Sequence, residues 1–466
     1  MGNSLESRFE RYCEVMVKAL SHADRETPAR WYLKGLMLPG GRKSVEPMAA
    51  RVHPEDVPSA HQSMHHLVAA SDWSDAALLG AVAGEVLPVL TRAGQEACVW
   101  IVDDTGFPKK GTHSVGVARQ YCGQLGKTDN CQVAVSLSLA TGEGSIPLAY
   151  RLYLPQDWAD DAARRKRVGV PAEMGFASKG RLALAQIEAA LAAGIPRAPV
   201  LADAGYGDEA AFRDRLSERG IPYAVGVRPA TAVWGDAYRP APLPAQPERG
   251  RPRTRLKRDA DHQPIGVLAL AQALPRRRFR TLTWREGTAE PLRSRFARVR
   301  VRAAHGDRAR AEEWLIIEWP KGESEPTRYW LSTLSANLSF QDLVATLKMR
   351  WRIERDYREL KQELGLGHYE GRNWRGFHHH ASLCIAAYGF LMRERLSGAK
   401  KNAARLKAPP VPEGFRPRGA GPDATARSLV DRNHSFPLGA RHRPIPLSVP
   451  LLWAASVEQS TPFITQ

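Results

Sequence analysis

The chain contains 466 residues, of which 43% are hydrophobic, so it is long enough for two or three folded cores and too apolar for wholesale disorder. Its 67 Lys and Arg against 49 Asp and Glu give a formal net charge of +18. Such an excess predicts a polyanionic partner, either nucleic acid or an anionic membrane. The longest apolar runs are shorter than the roughly 20 residues of a membrane-spanning helix, and no signal-peptide core is present. We therefore favour nucleic acid.

The elements predicted in chain order begin with helices over about the first 95 residues, such as Leu5–Leu20 and Asp75–Thr91. Strand-like apolar runs follow: one that ends at Asp103 and Asp104, then Gln132–Leu139 and Ile146–Leu154. The next predicted elements are, in order, helix Lys179–Ala193, strand Pro199–Ala202, helix Glu209–Arg219 and strand Pro222–Val227. This order predicts a mixed α/β sheet rather than a doubly wound parallel one.

Residues 234–310 differ in charge from the rest, with 19 Lys and Arg against 7 Asp and Glu. The part Tyr238–Arg258 is rich in Pro and Arg, and strand-like runs follow at Phe279–Trp284, Phe296–Arg302, Glu313–Trp319 and Thr327–Thr333. A long helix is then predicted from about Phe340 to Leu364, and an apolar helix over about His379–Leu396. The Pro- and Arg-rich tail after Ser397 is predicted to be poorly ordered.

Three acidic residues are candidates for a metal site. Asp103 and Asp104 are adjacent, so on a strand they point to opposite faces and only one can face a given site. Asp203 ends a second apolar strand and precedes a glycine-bearing turn. Carboxylates at the ends of neighbouring strands can converge on Mg²⁺, although such residues also commonly cap turns and helices.

The third candidate, Glu354, lies on the long predicted helix. Arg350, Glu354 and Lys361 are spaced by four and seven residues, so they share one face beside the apolar stripe. Two cations around one carboxylate suit DNA phosphates that flank a metal ion. The alternative is a solvated face with i,i+4 ion pairs, each worth about 0.3 kcal/mol.

The sequence resembles bacterial insertion-sequence transposases of the DDE type, in the group with a Tyr-Arg-Glu-Lys signature. The matching stretches are Val102-Asp103-Asp104-Thr105-Gly106, Leu201-Ala202-Asp203-Ala204-Gly205-Tyr206-Gly207-Asp208 and Arg350-Trp351-Arg352-Ile353-Glu354 with Lys361. The separations of 99 and then 151 residues between the acidic residues also agree with that group. The resemblance covers roughly residues 10 to 396.

The resemblance implies a ribonuclease-H-like mixed sheet flanked by helices, with a β-rich insertion and an N-terminal helical domain. The implied divisions are an N-terminal helical DNA-binding domain (1–95), the first part of the core (96–233), a basic β-rich insertion (234–335), the second part of the core with the Glu-bearing helix (336–397) and the tail (398–466).

The resemblance also implies roles for individual residues. The aspartate followed by Thr is the family ligand, so Asp104 is selected over Asp103 to join Asp203 and Glu354 as catalytic metal ligands. Arg350 and Lys361 correspond to the signature residues that contact DNA phosphates. The signature Tyr is replaced by Leu347. Trp330 corresponds to a tryptophan on which an extruded base stacks.

The predicted function is therefore cut-and-paste DNA transposition by a cytoplasmic, nucleoid-associated bacterial enzyme. Two Mg²⁺ ions, for which Mn²⁺ can substitute, would activate water to cut the element ends and then the 3′-hydroxyl to join a target. The partners are double-stranded terminal inverted repeats and target DNA, bound by a homodimer in the synaptic complex, with no membrane. The alternatives are a ribonuclease-H-like nuclease that does not join ends and a catalytically silent DNA-binding derivative.

Overall fold

The computed structural model describes residues 4–91, 98–235, 263–285, 290–306 and 310–406, with only the backbone of 399–406. The Pro- and Arg-rich part Tyr238–Arg258 and nearly all of the predicted disordered tail lie outside these residues. The described residues up to Leu396 belong to one compact unit.

Five helices build the N-terminal part, as the sequence predicted: α1 (Leu5–Lys18), α2 (Glu26–Met37), α3 (Val45–Val52), α4 (Val57–Ala69) and α5 (Asp75–Leu90). Three of them begin at a polar side chain that accepts a hydrogen bond from the first turn, namely Ser4, Asp56 and Ser74. Each helix buries an apolar stripe, as Phe9, Tyr12 and Met16 do in α1.

The central sheet contains β1 (Val99–Pro108), β2 (Ala118–Cys122), β3 (Lys127–Ala140), β4 (Ser145–Leu152), β5 (Val200–Ala202) and β6 (Tyr223–Val227). Strand β1 is antiparallel to β3 and parallel to β5, and β5 is parallel to β6. With β4 paired to β3, this is the mixed sheet of the ribonuclease-H-like fold. The accompanying helices are α6 (Gln156–Ala159), α7 (Ala162–Arg167), α8 (Lys179–Ala192), α9 (Ala204–Gly207) and α10 (Ala210–Glu218).

The insertion continues this sheet instead of forming a separate one. Its elements are β7 (Ala232–Gly235), β8 (Ile265–Gly266), α11 (Val267–Ala273), β9 (Arg280–Arg285), β10 (Leu292–Ala303), β11 (Glu312–Glu318) and β12 (Arg328–Ser332). Strand β12 pairs antiparallel with β6, which extends the sheet to 12 strands within the described part of the chain. In β10, half-buried Arg298, Arg300 and Arg302 alternate with buried Val299 and Val301, as strand geometry requires.

The last helices are α12 (Phe340–Lys348), α13 (Trp351–Gln362) and α14 (Trp374–Leu406). The prediction of one helix from Phe340 to Leu364 was therefore wrong, because the chain tightens at Met349 and Arg350. There the amides of Arg352 and Ile353 donate to carbonyls only three residues earlier. Arg350 consequently lies at the start of α13 instead of inside a helix. None of the described helices is long and apolar enough to cross a membrane.

Strand β1 also differs from its prediction, since it does not end at the two aspartates. It continues to Pro108 because Thr105, Gly106 and Phe107 remain paired with β3. Asp103 and Asp104 therefore lie inside a paired strand, where the alternation of side chains is fixed by the register.

Candidate active site

A single row of residues crosses the sheet at the candidate site. Ile101 of β1 pairs with Leu201 of β5, so continuing the register by two residues brings Asp203 beside Asp103. On the other side of β1, Asp103 pairs with Ser136. The same row reaches Gly226 of β6, where an added Cβ atom would lie 3.4 Å from the Asp203 Cα atom. Residues paired across a sheet point to the same face, so Asp103 and Asp203 share a face.

The two neighbouring aspartates have different partners. The carboxylate of Asp103 accepts a hydrogen bond of 2.9 Å from Nη1 of Arg350 at the start of α13. The carboxylate of Asp104 is paired with the ammonium of Lys179 in α8. Helix α13 lies on the Asp103 face, because the hydroxyl groups of Tyr357 and Ser136 are 2.6 Å apart.

The Asp103 carboxyl group is the more strongly perturbed of the two. The residue is 9% exposed, and burial raises the pKa of Asp103 to about 7. Arg350 opposes this effect, whereas the nearby charges of Asp203 and Asp104 add to it. A buried carboxyl group whose pKa is shifted by a nearby carboxylate and a nearby cation is typical of a functional cleft.

Arg350 connects this face to Glu354. Its Nη2 atom lies 3.3 Å from Oε1 of Glu354, one helical turn along α13, while Nη1 binds Asp103. Burial alone would lower the pKa of Arg350, but the charges of Asp103, Asp203 and Glu354 outweigh it and raise the pKa. The Glu354 side chain is 62% exposed, so it lies at the open side of the site. Asp203 caps α9 by accepting a hydrogen bond from the Gly205 amide at 2.9 Å.

The contacts thus bring Asp103 and Glu354 to Arg350, and the charge of Asp203 acts on both Asp103 and Arg350. They place Asp103, rather than Asp104, beside this arginine, whereas the sequence resemblance points to Asp104 as the ligand. The reason is the side of β1 on which α13 packs, which the two residues alone do not reveal. Lys179, the partner of Asp104, was not singled out from the sequence, and no motif around it pointed to this contact.

Lys361 lies further along the same helix, beside the outer part of β1. Its ammonium donates to the carbonyl of Gly106 at 2.7 Å and to Gln124 Oε1 at 3.1 Å. It also lies 4.7 Å from the centre of the Phe107 ring, and burial lowers the pKa of Lys361 to about 8. The predicted phosphate contact of Lys361 remains a prediction.

Trp330 of β12 is covered by a neighbouring cation. The residue is 8% exposed, and the ammonium of Lys348 lies 5.4 Å from the centre of its ring. The same ammonium lies 4.4 Å from the Trp284 ring and makes a 2.6 Å ion pair with Glu318. Because Trp330 is nearly buried and the Lys348 ammonium lies over its ring, stacking of a base on it would require a local rearrangement, and this requirement could not be read from the sequence.

The three consecutive histidines near the start of α14 have structural contacts. The amide of Leu152 donates to Nε2 of His378 at 3.2 Å, and His380 lies 2.8 Å from the Tyr32 hydroxyl. His379 stacks on Trp73 with ring centres 3.6 Å apart. These contacts connect α14 with β4 and with the N-terminal helices.

Comparison with known proteins adds an independent result. A family model described as "DDE superfamily endonuclease" matches residues 15–291, which is more than half of the chain. The chain belongs to this family. The match includes Asp103, Asp104 and Asp203 but ends before Trp330 and Glu354. It therefore gives no information on the proposed roles of those two residues.

One relative is described as "Probable transposase for insertion sequence element IS701" from Microchaete diplosiphon. It is 31% identical over 168 residues, which are 36% of this chain and 40% of the relative. The aligned part thus spans less than half of the relative's length.

The chemistry of the donor set fits the divalent ions implied by this family, because carboxylate oxygens are the ligands that Mg²⁺ prefers. In the described part of the chain, no group of three or more His, Cys, Asp or Glu side chains is already arranged around a common ion position. At the Asp103–Glu354 site, the guanidinium of Arg350 occupies the space between the two carboxylates.

Proposed function

We propose that the protein is a DNA transposase of an insertion sequence, which cuts element ends and joins them to target DNA. The observation that carries this proposal is the pairing of Asp103 and Glu354 with one arginine that also lies within range of the Asp203 charge, on a ribonuclease-H-like sheet in a chain of the DDE endonuclease family. The relative named as a probable transposase supports the same activity.

In this proposal the metal ligands are Asp203, Glu354 and one aspartate of β1. The sequence resemblance favours Asp104 for the third position, whereas the contacts favour Asp103. When bound, two Mg²⁺ ions would activate the attacking oxygen and stabilise the leaving oxygen. The chain itself would hold Asp103 rigid through its paired strand and fix Asp203 through its cap on α9. Glu354, at the exposed side, would close the site when DNA enters.

The basic insertion is the proposed main surface for DNA phosphates. Residues 1–95 carry 10 Lys and Arg against 11 Asp and Glu, whereas residues 234–310 carry 19 against 7. On β10 and β11, the guanidinium groups of Arg298 and Arg300 lie 4.8 and 4.5 Å from the ring centre of Trp314. Arginine binds phosphate through a planar fork of donors and also packs on aromatic rings, so this cluster suits a phosphate backbone. The N-terminal helices would then contribute shape and base contacts more than charge.

Assembly and location remain part of the proposal. Cutting two element ends in one complex requires two active sites, so we propose a homodimer in the synaptic complex with double-stranded DNA. The domain divisions at 95, 233, 335 and 397 are proposed from the family resemblance. A place in the bacterial cytoplasm near the nucleoid is proposed for the same reason.

The proposal is tested with a DNA fragment that carries the inverted repeats flanking the gene. Glu354→Gln should keep end binding in a gel-shift assay yet lose nicking with Mg²⁺, because a metal ligand is removed without changing the shape of α13. Glu363→Gln, at the exposed end of the same helix, serves as the control and should nick normally. Nicking by Glu354→Gln at the wild-type rate would contradict the proposed site.

A nuclease that does not join ends is the closest alternative. A pre-cut end with a free 3′-hydroxyl is supplied together with a target plasmid, and joined product is measured on a gel. A transposase should give joined product that depends on Glu354, whereas a simple nuclease should give none.

Stacking of an extruded base on Trp330 is proposed as a feature of end processing. An end duplex with 2-aminopurine at the terminal positions should increase in fluorescence when its base leaves the helix and then be quenched on an aromatic ring. Trp330→Leu should remove the quenching. Unchanged quenching would assign the stacking to another side chain.

A further inference from the structure

The guanidinium of Arg350 occupies the centre of the candidate site. Its two terminal nitrogens bind different carboxylates, with Nη1 at 2.9 Å from Asp103 Oδ2 and Nη2 at 3.3 Å from Glu354 Oε1. The guanidinium is a rigid planar fork of donors, so one arginine holds the two carboxylates at two separate nitrogens. The carboxylates therefore cannot share a small ion until the fork leaves.

A cation at this position offsets the negative charge of the neighbouring carboxylates. Asp103 is nearly buried, and the Asp203 carboxylate is close enough to influence both Asp103 and Arg350. Unpaired buried carboxylates cost several kcal/mol, so a single positive charge between them stabilises the metal-free protein. Arg350 lies at the junction of α12 and α13, and its side chain is 26% exposed.

We propose that Arg350 is a tethered counter-cation that fills the metal site in the DNA-free protein and must withdraw before divalent ions bind. This inference rests on the proposed function of the site. A DNA phosphate is the natural acceptor for the withdrawn guanidinium, because arginine binds phosphate and carboxylate with the same paired geometry. DNA binding and metal binding are then coupled, and each increases the affinity for the other by the same factor. Arg350 acts here as a positioning residue.

The first test measures Mn²⁺ binding without DNA, from the electron paramagnetic resonance signal of free Mn²⁺. Arg350→Ala should bind Mn²⁺ more tightly than the wild type, by a factor in the roughly 5–150-fold range of typical couplings. A residue with a merely structural role would weaken binding when removed. Arg358→Ala is the matched control, since Arg358 is exposed on α13 and, like Arg350, lies four residues from Glu354. It should change the affinity less than about threefold, the effect of one screened surface charge.

The second test adds a DNA duplex that carries the element end. In the wild type, this duplex should increase Mn²⁺ affinity, and in Arg350→Ala most of that increase should be lost. Arg350→Gln provides a second variant, because it is neutral but can still donate a hydrogen bond to Asp103. Circular dichroism and the thermal unfolding midpoint establish which variants are folded.

Equal or weaker Mn²⁺ binding by folded Arg350→Ala and Arg350→Gln would overturn the inference. Failure of the proposed function is recognised separately, because a protein without the catalytic site would not bind Mn²⁺ through Glu354 at all. In that case Glu354→Gln and the wild type would give the same Mn²⁺ signal.

Discussion

The two faces of strand β1 differ sharply although Asp103 and Asp104 are neighbours in sequence. On one face, Asp103 is nearly buried, pairs with Arg350 and lies beside Asp203. On the other face, Asp104 is 30% exposed and pairs with Lys179 of α8. The first face gathers several acidic groups around one cation, and the second holds a single ion pair. The helix that packs on each face therefore determines which charged partner a strand aspartate meets.

The largest expected effect separates the two aspartates directly. On the proposal that Asp103 is the metal ligand on β1, Asp103→Asn should reduce Mg²⁺-dependent nicking by about 10³-fold or more, because a bound metal ion contributes several kcal/mol of charge stabilisation. Asp104→Asn should stay within the roughly 10–100-fold loss typical of an outer partner of a metal site. Both rates are measured on the same end fragment, with end binding as the folding control. The reverse order would support the sequence-based choice of Asp104.

A smaller effect is expected from Gly226, which lies beside Asp203 and has no room for a side chain. A Cβ atom there would lie 2.9 Å from the Ala204 nitrogen and 3.2 Å from the Asp203 carbonyl carbon. Gly226→Ala should therefore displace Asp203 and reduce the free energy of unfolding by about 1–3 kcal/mol.

The control for this variant is Gly80→Ala, at an exposed position of α5 where an added Cβ meets nothing within 4 Å. It should increase the free energy of unfolding by up to about 1 kcal/mol, since alanine favours the helix. Urea unfolding measures both variants. Similar effects of the two substitutions would argue against close packing of α9 on β6.

The pH dependence of stability tests the buried histidines that connect α14 with β4 and with the N-terminal helices. Burial lowers the pKa of His380 to about 4, below the value of about 6.5 in the unfolded chain. The unfolded state therefore takes up a proton first, so this contribution is fully present above pH 6.5 and is lost as the pH falls towards 4. Thermal unfolding midpoints between pH 7 and 5 should fall less steeply for His380→Gln than for the wild type. The exposed His65→Gln variant should leave the slope unchanged.

The smallest expected effect belongs to Lys179 on the opposite face. Both partners of the Lys179–Asp104 pair are about one third exposed, so the pair contributes at most about 1 kcal/mol. Lys179→Met should change the unfolding free energy by no more than this and nicking by less than about tenfold. A complete loss of nicking would move the catalytic centre to the Asp104 face.

The mixed α/β class, most of the helices and strands and the shared face of Arg350 and Glu354 could be predicted from the sequence, because they follow from local periodicity. The basic insertion could also be located through its charge. The sequence did not show that α13 packs on the Asp103 side of β1, that Lys348 lies over the Trp330 ring or that the insertion pairs with β6, because these depend on the tertiary structure. Strand periodicity states only that neighbours point in opposite directions. Which direction faces the catalytic helix depends on contacts between residues that are hundreds of positions apart, such as Arg350 and Asp103.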